Sequence, residues 1–456
     1  MATRAHDLDA RSVAADQAAR QTLRSLERLL APRDFTVRLW NGDALGPSPG
    51  RESRFVLVLA HPASLLRMFW PPGEFSAAEA FVRGDWDVEG DLVAALSLRD
   101  RLHVGPRELL EIGRLAAALL HGSSPVHRRD AGPSSGDLRA RAARLRGAKH
   151  GLRRDAAAIR HHYDVGNDFY ALWLDERMVY SCAYFTRPDA TLDEAQEAKL
   201  ELVCRKLRLA PGDRLLDIGC GWGGLVTWAA ERHGASALGV TLSAPQAALA
   251  RERIAARGLA GRCRVELTDY RGLLGERFDK IVSVGMVEHV GVAQLPSYFH
   301  RASALLRPGG LFLNHGIAPA VPRDDGLKSR LFREGRFLER YVFPDGELPF
   351  LHETAAAAVA AGLELRDLES LREHYALTLR HWIARLERRR TEAERAVGAA
   401  AYRIWRLYLA GAAADFERAT NTVFQALYAK PDGGRSGLPL TREDLYASPL
   451  LPRGAR

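Results

Sequence analysis

The run Leu215-Leu216-Asp217-Ile218-Gly219-Cys220-Gly221-Trp222-Gly223-Gly224 sets an acid and a glycine-paved turn between an apolar strand and a helix. Gly219, Gly221 and Gly224 have the G-x-G-x-x-G spacing that lets a backbone approach a nucleotide cofactor closely. A dinucleotide site also wants an acid about 20 residues further on for a ribose, whereas this chain offers Thr241-Leu242-Ser243 after its next strand. Asp217, two residues before Gly219, fits a site for S-adenosylmethionine, which brings no diphosphate to cradle. Other chemistry-bearing residues fall where later strands end. Thr241 and Gln246 offer a hydroxyl and an amide, and Asp269 with Tyr270 could hold and stack an adenine. Glu288, closing a strand beside His289, needs a partner or a task, because an unpaired buried carboxylate is costly. His315 stands in the apolar run Leu311 to Ile317. Each has a plainer alternative: a turn glycine, a β-branched strand residue, a simple turn, a satisfied core histidine.

These positions matter because of the elements expected around them. From residue 214 the chain alternates strand and helix: strands 214–218, 237–242, 264–267, 278–284 and 311–314, and helices 225–233, 245–257 and 295–306, with 307–310 as a turn. That rhythm predicts a doubly wound parallel α/β sheet, in which ligands bind beyond the carboxyl ends of the strands. An insertion at 322–349 breaks the rhythm, and strands at 364–368 and 424–429 resume it. Residues 1–120 read as a smaller α+β domain, with a helix at 17–30, strands at 35–40 and 54–60, and a helix at 75–84 stopping at glycine. Between them, 121–155 is a linker rich in Arg, Gly, Ser and Pro; the catalytic domain is expected over 156–456. The linker's basic residues, among them Arg139, Arg141, Arg144 and Arg146, form either a solvated connector or a segment drawn to anionic lipid.

With 456 residues, 47% hydrophobic and 27% charged, the chain can bury a sizeable core. No apolar run is long enough to span a membrane and no secretory leader opens the chain, so a cytoplasmic location is expected. Cys182, Cys204, Cys220 and Cys263 lack C-x-x-C spacing, so no metal site is expected. The net charge of +9 favours an anionic partner.

In this order the motifs resemble the cyclopropane-fatty-acyl-phospholipid synthases and the related mycolic acid cyclopropane synthases. The resemblance covers roughly residues 159–430. It rests on the 162–170 and 180–185 aromatic segments, the Leu216 to Gly224 turn, Gly239 to Ser243 with Gln246, Asp269-Tyr270-Arg271, Glu288-His289-Val290-Gly291 and the 375–382 segment. It implies a Rossmann-like class I S-adenosylmethionine methyltransferase domain. Cofactor contacts carried over are Tyr180, Ser181, Gly219, Gly221, Thr241, Leu242, Gln246, Tyr270 and Arg271. Bicarbonate as the base is implied at Cys182, Glu288, His315, the backbone of Ile317, and Tyr375.

The implied activity is transfer of the cofactor's methyl carbon to a cis double bond of a phospholipid acyl chain. A carbocation forms, aromatic faces stabilise it, and loss of a proton closes a cyclopropane ring. Residues 1–120, with Gly84-Asp85-Trp86-Asp87, resemble the lipid-engaging domain of the bacterial phospholipid enzymes. This implies peripheral contact with the inner face of an anionic membrane, and a homodimer. Two positions depart from many relatives: Val287 replaces an aromatic, and Ser370-Leu371-Arg372-Glu373 replaces His-Asn-Phe-Gly. Both bear on the outcome after methyl transfer, so a methylene- or methyl-branched product is the enzymatic alternative. A non-catalytic lipid-binding protein is the alternative of another class. No base-flipping motif is present, and nucleic acid is not an expected partner.

Overall fold

The computed structural model describes residues 19–100, 138–321 and 335–450, apart from residues 21, 29, 72 and 139. The expectations for residues 101–137 and 322–334, including about half of the linker and the start of the insertion, lie outside these. The chain forms two compact units. One takes in residues 1–142, 324–342 and 397–414; the other holds 143–323, 343–396 and 415–456.

The smaller unit is built on a four-stranded sheet of β1 (Thr36–Arg38), β2 (Ala44–Leu45), β3 (Phe55–Leu59) and β4 (Trp86–Gly90), in the order β2-β1-β3-β4. Helix α1 (Glu74–Arg83) ends at Gly84, whose φ of 80° is the left-handed conformation that closes a helix. The junction from α1 into β4 is held by charge. Buried Asp85 accepts from His61 and Arg67, and Arg403 and Arg406 both donate to Asp87.

The larger unit contains α2 (Leu152–Tyr163), α3 (Leu192–Lys206), α4 (Gly224–His233), α5 (Ala244–Ala256), α6 (Leu295–Leu305) and α7 (Arg372–Arg388). They accompany β5 (Arg214–Ile218), β6 (Ser236–Thr241), β7 (Cys263–Leu267), β8 (Phe278–Val284), β9 (Leu306–Pro319), β10 (Glu364–Ser370) and β11 (Asn421–Ala429). Sheet order is β10-β11-β9-β8-β5-β6-β7. The five strands β5 to β9 pair in parallel, and β11 runs antiparallel between β9 and β10. Such a sheet is covered on both faces, which is why β5 reads as a continuous apolar run rather than an alternating one. One expectation is corrected. The 307–310 turn lies inside β9, which starts at Leu306. Pairing with β8 jumps from Leu306 to Leu311, so Arg307 to Gly310 bulge out of the ladder instead of ending it.

Candidate active site

The glycine turn after β5 opens a cleft at the carboxyl ends of β5, β6, β7 and β8. Gly221 has φ 55° and empty space where a Cβ would sit, so the backbone itself forms the cleft floor. At Gly239 a Cβ would come within 2.7 Å of the Cys220 side chain, so β6 needs glycine for the turn to lie against it. Tyr180, Ser181, Gly219, Gly221, Thr241, Leu242, Gln246 and Tyr270 all line this cleft. Thr241 donates to Gln246 Oε1 at 2.8 Å, joining the strand end to the first turn of α5. Arg271 lies outside the lining. Its guanidinium reaches Asp269 at 2.7 Å and Asp155 at 3.0 Å, fixing Asp269 at the rim.

A cap formed by α2 and the following turn closes over the cleft. Trp222 Nε1 donates to Asn167 Oδ1 at 2.7 Å, and Ser243 donates to Asp164 at 3.0 Å. Tyr180 packs among Tyr170, Trp173 and Trp382, with ring centroids 5.5, 5.4 and 5.2 Å away. Gln196 donates to the carbonyls of Val179 and Ser181, and Lys199 Nζ donates to Ser181 Oγ at 2.9 Å. Sequence reasoning missed Lys199 and His289 as lining residues. The signal for Lys199 is its place on α3: Leu192, Gln196, Lys199, Val203 and Lys206 recur every three or four residues, so polar groups occupy a core-facing stripe.

The second set, Cys182, Glu288, His315, Ile317 and Tyr375, lies outside the lining of this cleft, and a chain of contacts leads from Ser181 to Glu288. Cys182 follows it directly, and its Sγ lies 3.7 Å from the Leu371 carbonyl oxygen. Leu371 N–H donates to Val423, whose strand partner is Ile317. Ile317 N–H in turn donates to Glu288 Oε1 at 2.7 Å. His315 lies two residues from Ile317 on β9, with Nδ1 3.2 Å from Gln425 Nε2. Tyr375, in the first turn of α7, packs on Phe416 at 4.6 Å and on Trp382 at 6.0 Å.

Electrostatics separate these groups. Burial pushes the Glu288 carboxyl up to about 7, against the pull of its backbone hydrogen bonds. Its Oε2 is buried and has no hydrogen-bond partner among the described residues. Burial also lifts Asp217 to about 7, opposed by the charge of Lys199, and takes Lys199 down to about 8. Burial, reinforced by Lys199 and Lys206, holds His315 well below the usual imidazole range, so it is neutral. Burial raises the Cys182 thiol far above its ordinary value, which makes it a poor nucleophile.

Residues 150–426 match the mycolic acid cyclopropane synthetase family. A "Probable fatty acid methyltransferase" of Pseudomonas putida is 43% identical over 416 residues, 90% of this chain and 95% of the relative. The cyclopropane-fatty-acyl-phospholipid synthase of Escherichia coli K12 is 36% identical over 281 residues, 62% of this chain and 69% of that one. Among solved structures, mycolic acid cyclopropane synthase CmaA1 complexed with SAH and CTAB aligns with a TM-score of 0.57 at 35% identity. That alignment covers 60% of this chain and 97% of the other. The sheet order and glycine turn are those of a class I S-adenosylmethionine-dependent methyltransferase, and by both sequence and structure this chain belongs to the mycolic acid cyclopropane synthetase family.

Proposed function

We propose that this enzyme adds the methyl carbon of S-adenosylmethionine across a cis double bond in a phospholipid acyl chain and closes a cyclopropane ring, with bicarbonate as the base. When bound, S-adenosylmethionine supplies an electrophilic methyl and bicarbonate a proton acceptor. The protein's own groups do the rest. Gly219, Gly221, Thr241 and Gln246 hold the cofactor's adenosyl part, and Ser181, steadied by Lys199, its amino-acid end. The faces of Tyr180, Tyr375 and Trp382 can stabilise positive charge on the acyl chain.

The single observation that carries the reading is the Glu288 carboxylate. One oxygen is fixed by Ile317 N–H and the other is buried without a partner among the described residues. Such an oxygen is stabilised by accepting a hydrogen from a small ligand. Bicarbonate fits, since it can donate to Glu288 Oε2 while accepting from neutral His315 and the Tyr375 hydroxyl.

A second reading keeps the methyl transfer but loses a different proton, giving a methylene- or methyl-branched chain. The Pseudomonas relative, named for fatty acid methyl transfer and matched over 90% of this chain, favours it. The test incubates purified protein with labelled methyl donor and vesicles of unsaturated phospholipid, followed by ozonolysis of the labelled lipid. Ring product survives ozone. A cleaved exomethylene product overturns ring closure, and absence of labelled lipid overturns the lipid reading.

A further inference from the structure

Lys206, the last residue of α3, is only 1% exposed and serves no role in the reaction outlined above. Its ammonium pairs with Glu369 on β10 and donates to Gln425 Oε1 on β11 at 2.8 Å. Gln425 is the direct cross-strand partner of Glu369 on one side and of His315 on the other. The row therefore runs Glu369, Lys206, Gln425, His315 across three adjacent strands.

An ammonium has hydrogens only to give, so the Gln425 atom facing it must be the amide oxygen. The amide nitrogen then faces His315 Nδ1, at 3.2 Å. That nitrogen also only donates, so Nδ1 must accept, and the single hydrogen of the neutral ring resides on Nε2. We propose that Lys206 is a positioning residue that, through Gln425, fixes His315 as the Nε2–H tautomer, so that His315 presents a hydrogen-bond donor rather than a base. The purpose assigned to that donor, holding a small anion beside Glu288, rests on the function proposed above; the tautomer itself does not. With Nδ1 occupied and Nε2 protonated, His315 has no free lone pair with which to take the substrate's proton.

The experiment is nitrogen NMR of the full-length protein labelled at histidine, with the His315 signals assigned by loss in His315→Gln. The unaltered protein should show Nδ1 as an unprotonated acceptor and Nε2 as protonated. Gln425→Glu presents a carboxylate, which accepts only, and should move the hydrogen to Nδ1. Its turnover should fall roughly 10- to 100-fold, the rate worth of one hydrogen bond to a charged group, with KM for the methyl donor unchanged. Lys206→Met should leave a mixture of tautomers, and Lys206→Arg should restore Nε2–H. A purely structural Lys206–Glu369 pair predicts no tautomer change in Lys206→Met, and that result would overturn the role given to Lys206. The proposal is overturned by Nδ1–H in the unaltered protein, or by Gln425→Glu leaving either tautomer or turnover as before. Unaltered protein that shows the Nε2–H signal but leaves unsaturated phospholipid unmodified overturns the function instead.

Discussion

Glu288 concentrates the conflict between stability and activity. Burial raises its carboxyl from 4.5 to about 7, so between these values the folded chain binds a proton that the unfolded chain has released. By linkage, stability falls as pH rises through this window: the contribution is intact below 4.5 and lost above about 7. A shift of this size corresponds to roughly 3 kcal/mol. Glu288→Gln keeps the acceptor for Ile317 N–H and removes the charge. Thermal unfolding should therefore show the variant matching the unaltered protein at pH 4 and exceeding it at pH 8. Turnover should drop at least ~100-fold, with binding of the demethylated cofactor unaltered. Equal Tm values at pH 8, or retained turnover, would contradict this assignment. From sequence, Glu288 is legible as a carboxylate in an apolar run. It does not close the strand as expected: β8 ends at Val284 and Glu288 sits in the short helix Val287–Val290 that follows. The orphan oxygen of Glu288 is not legible, since that depends on how β9 and the turn after β8 meet.

At the scale of elements, the strands and helices between 214 and 319 are readable because each is a short apolar run bounded by turn residues. α3 is harder to read. Its buried stripe includes Gln196, Lys199 and Lys206, which dilute the apolar period, and the partners that make their burial tolerable lie far away in sequence. Arg307 to Gly310 mislead for a related reason: Pro-Gly-Gly signals a turn locally, while pairing on either side carries the strand through. The α3 stripe has an energetic consequence. Lys199 is the shared cation of buried Asp175 and Asp217, and burial already lifts Asp175 to about 6. Removing one member of a buried charge set costs about 3–5 kcal/mol when the others stay uncompensated. Lys199→Met should lower apo-protein stability by about that much, and adding Asp217→Asn should recover ~1 kcal/mol or more. Strict additivity of the two substitutions in denaturant titrations would show that the lysine and the aspartate do not feel each other.

For the whole molecule, the chain's two units are not two successive stretches of sequence. Arg403 and Arg406 complete the smaller unit by binding Asp87, more than 300 residues earlier, and nothing local in a helix announces so distant a partner. Charge distribution is likewise only partly legible. Of the basic linker residues, Arg154 is bound to Asp345, Lys149 pairs with Glu347, and Arg141 donates to the Val397 carbonyl. These charges are spent within the fold. Arg144 and Arg146 are exposed and form no ion pair with an acid among the described residues, so we propose them as the part of this segment that meets an anionic membrane. Among the described residues no helix is long and apolar enough to cross a bilayer. A basic residue near an anionic membrane surface contributes about 1 kcal/mol, and losing two should weaken partitioning roughly 30-fold. Arg144→Ser with Arg146→Ser should therefore shift the cosedimentation of the protein with phosphatidylglycerol vesicles by that factor at low ionic strength, and by much less at 0.5 M salt, where the screening length is only about 4 Å. Partitioning that is identical to the unaltered protein at low salt would leave these arginines as solvated connector, and the net positive charge would have to act from elsewhere on the chain.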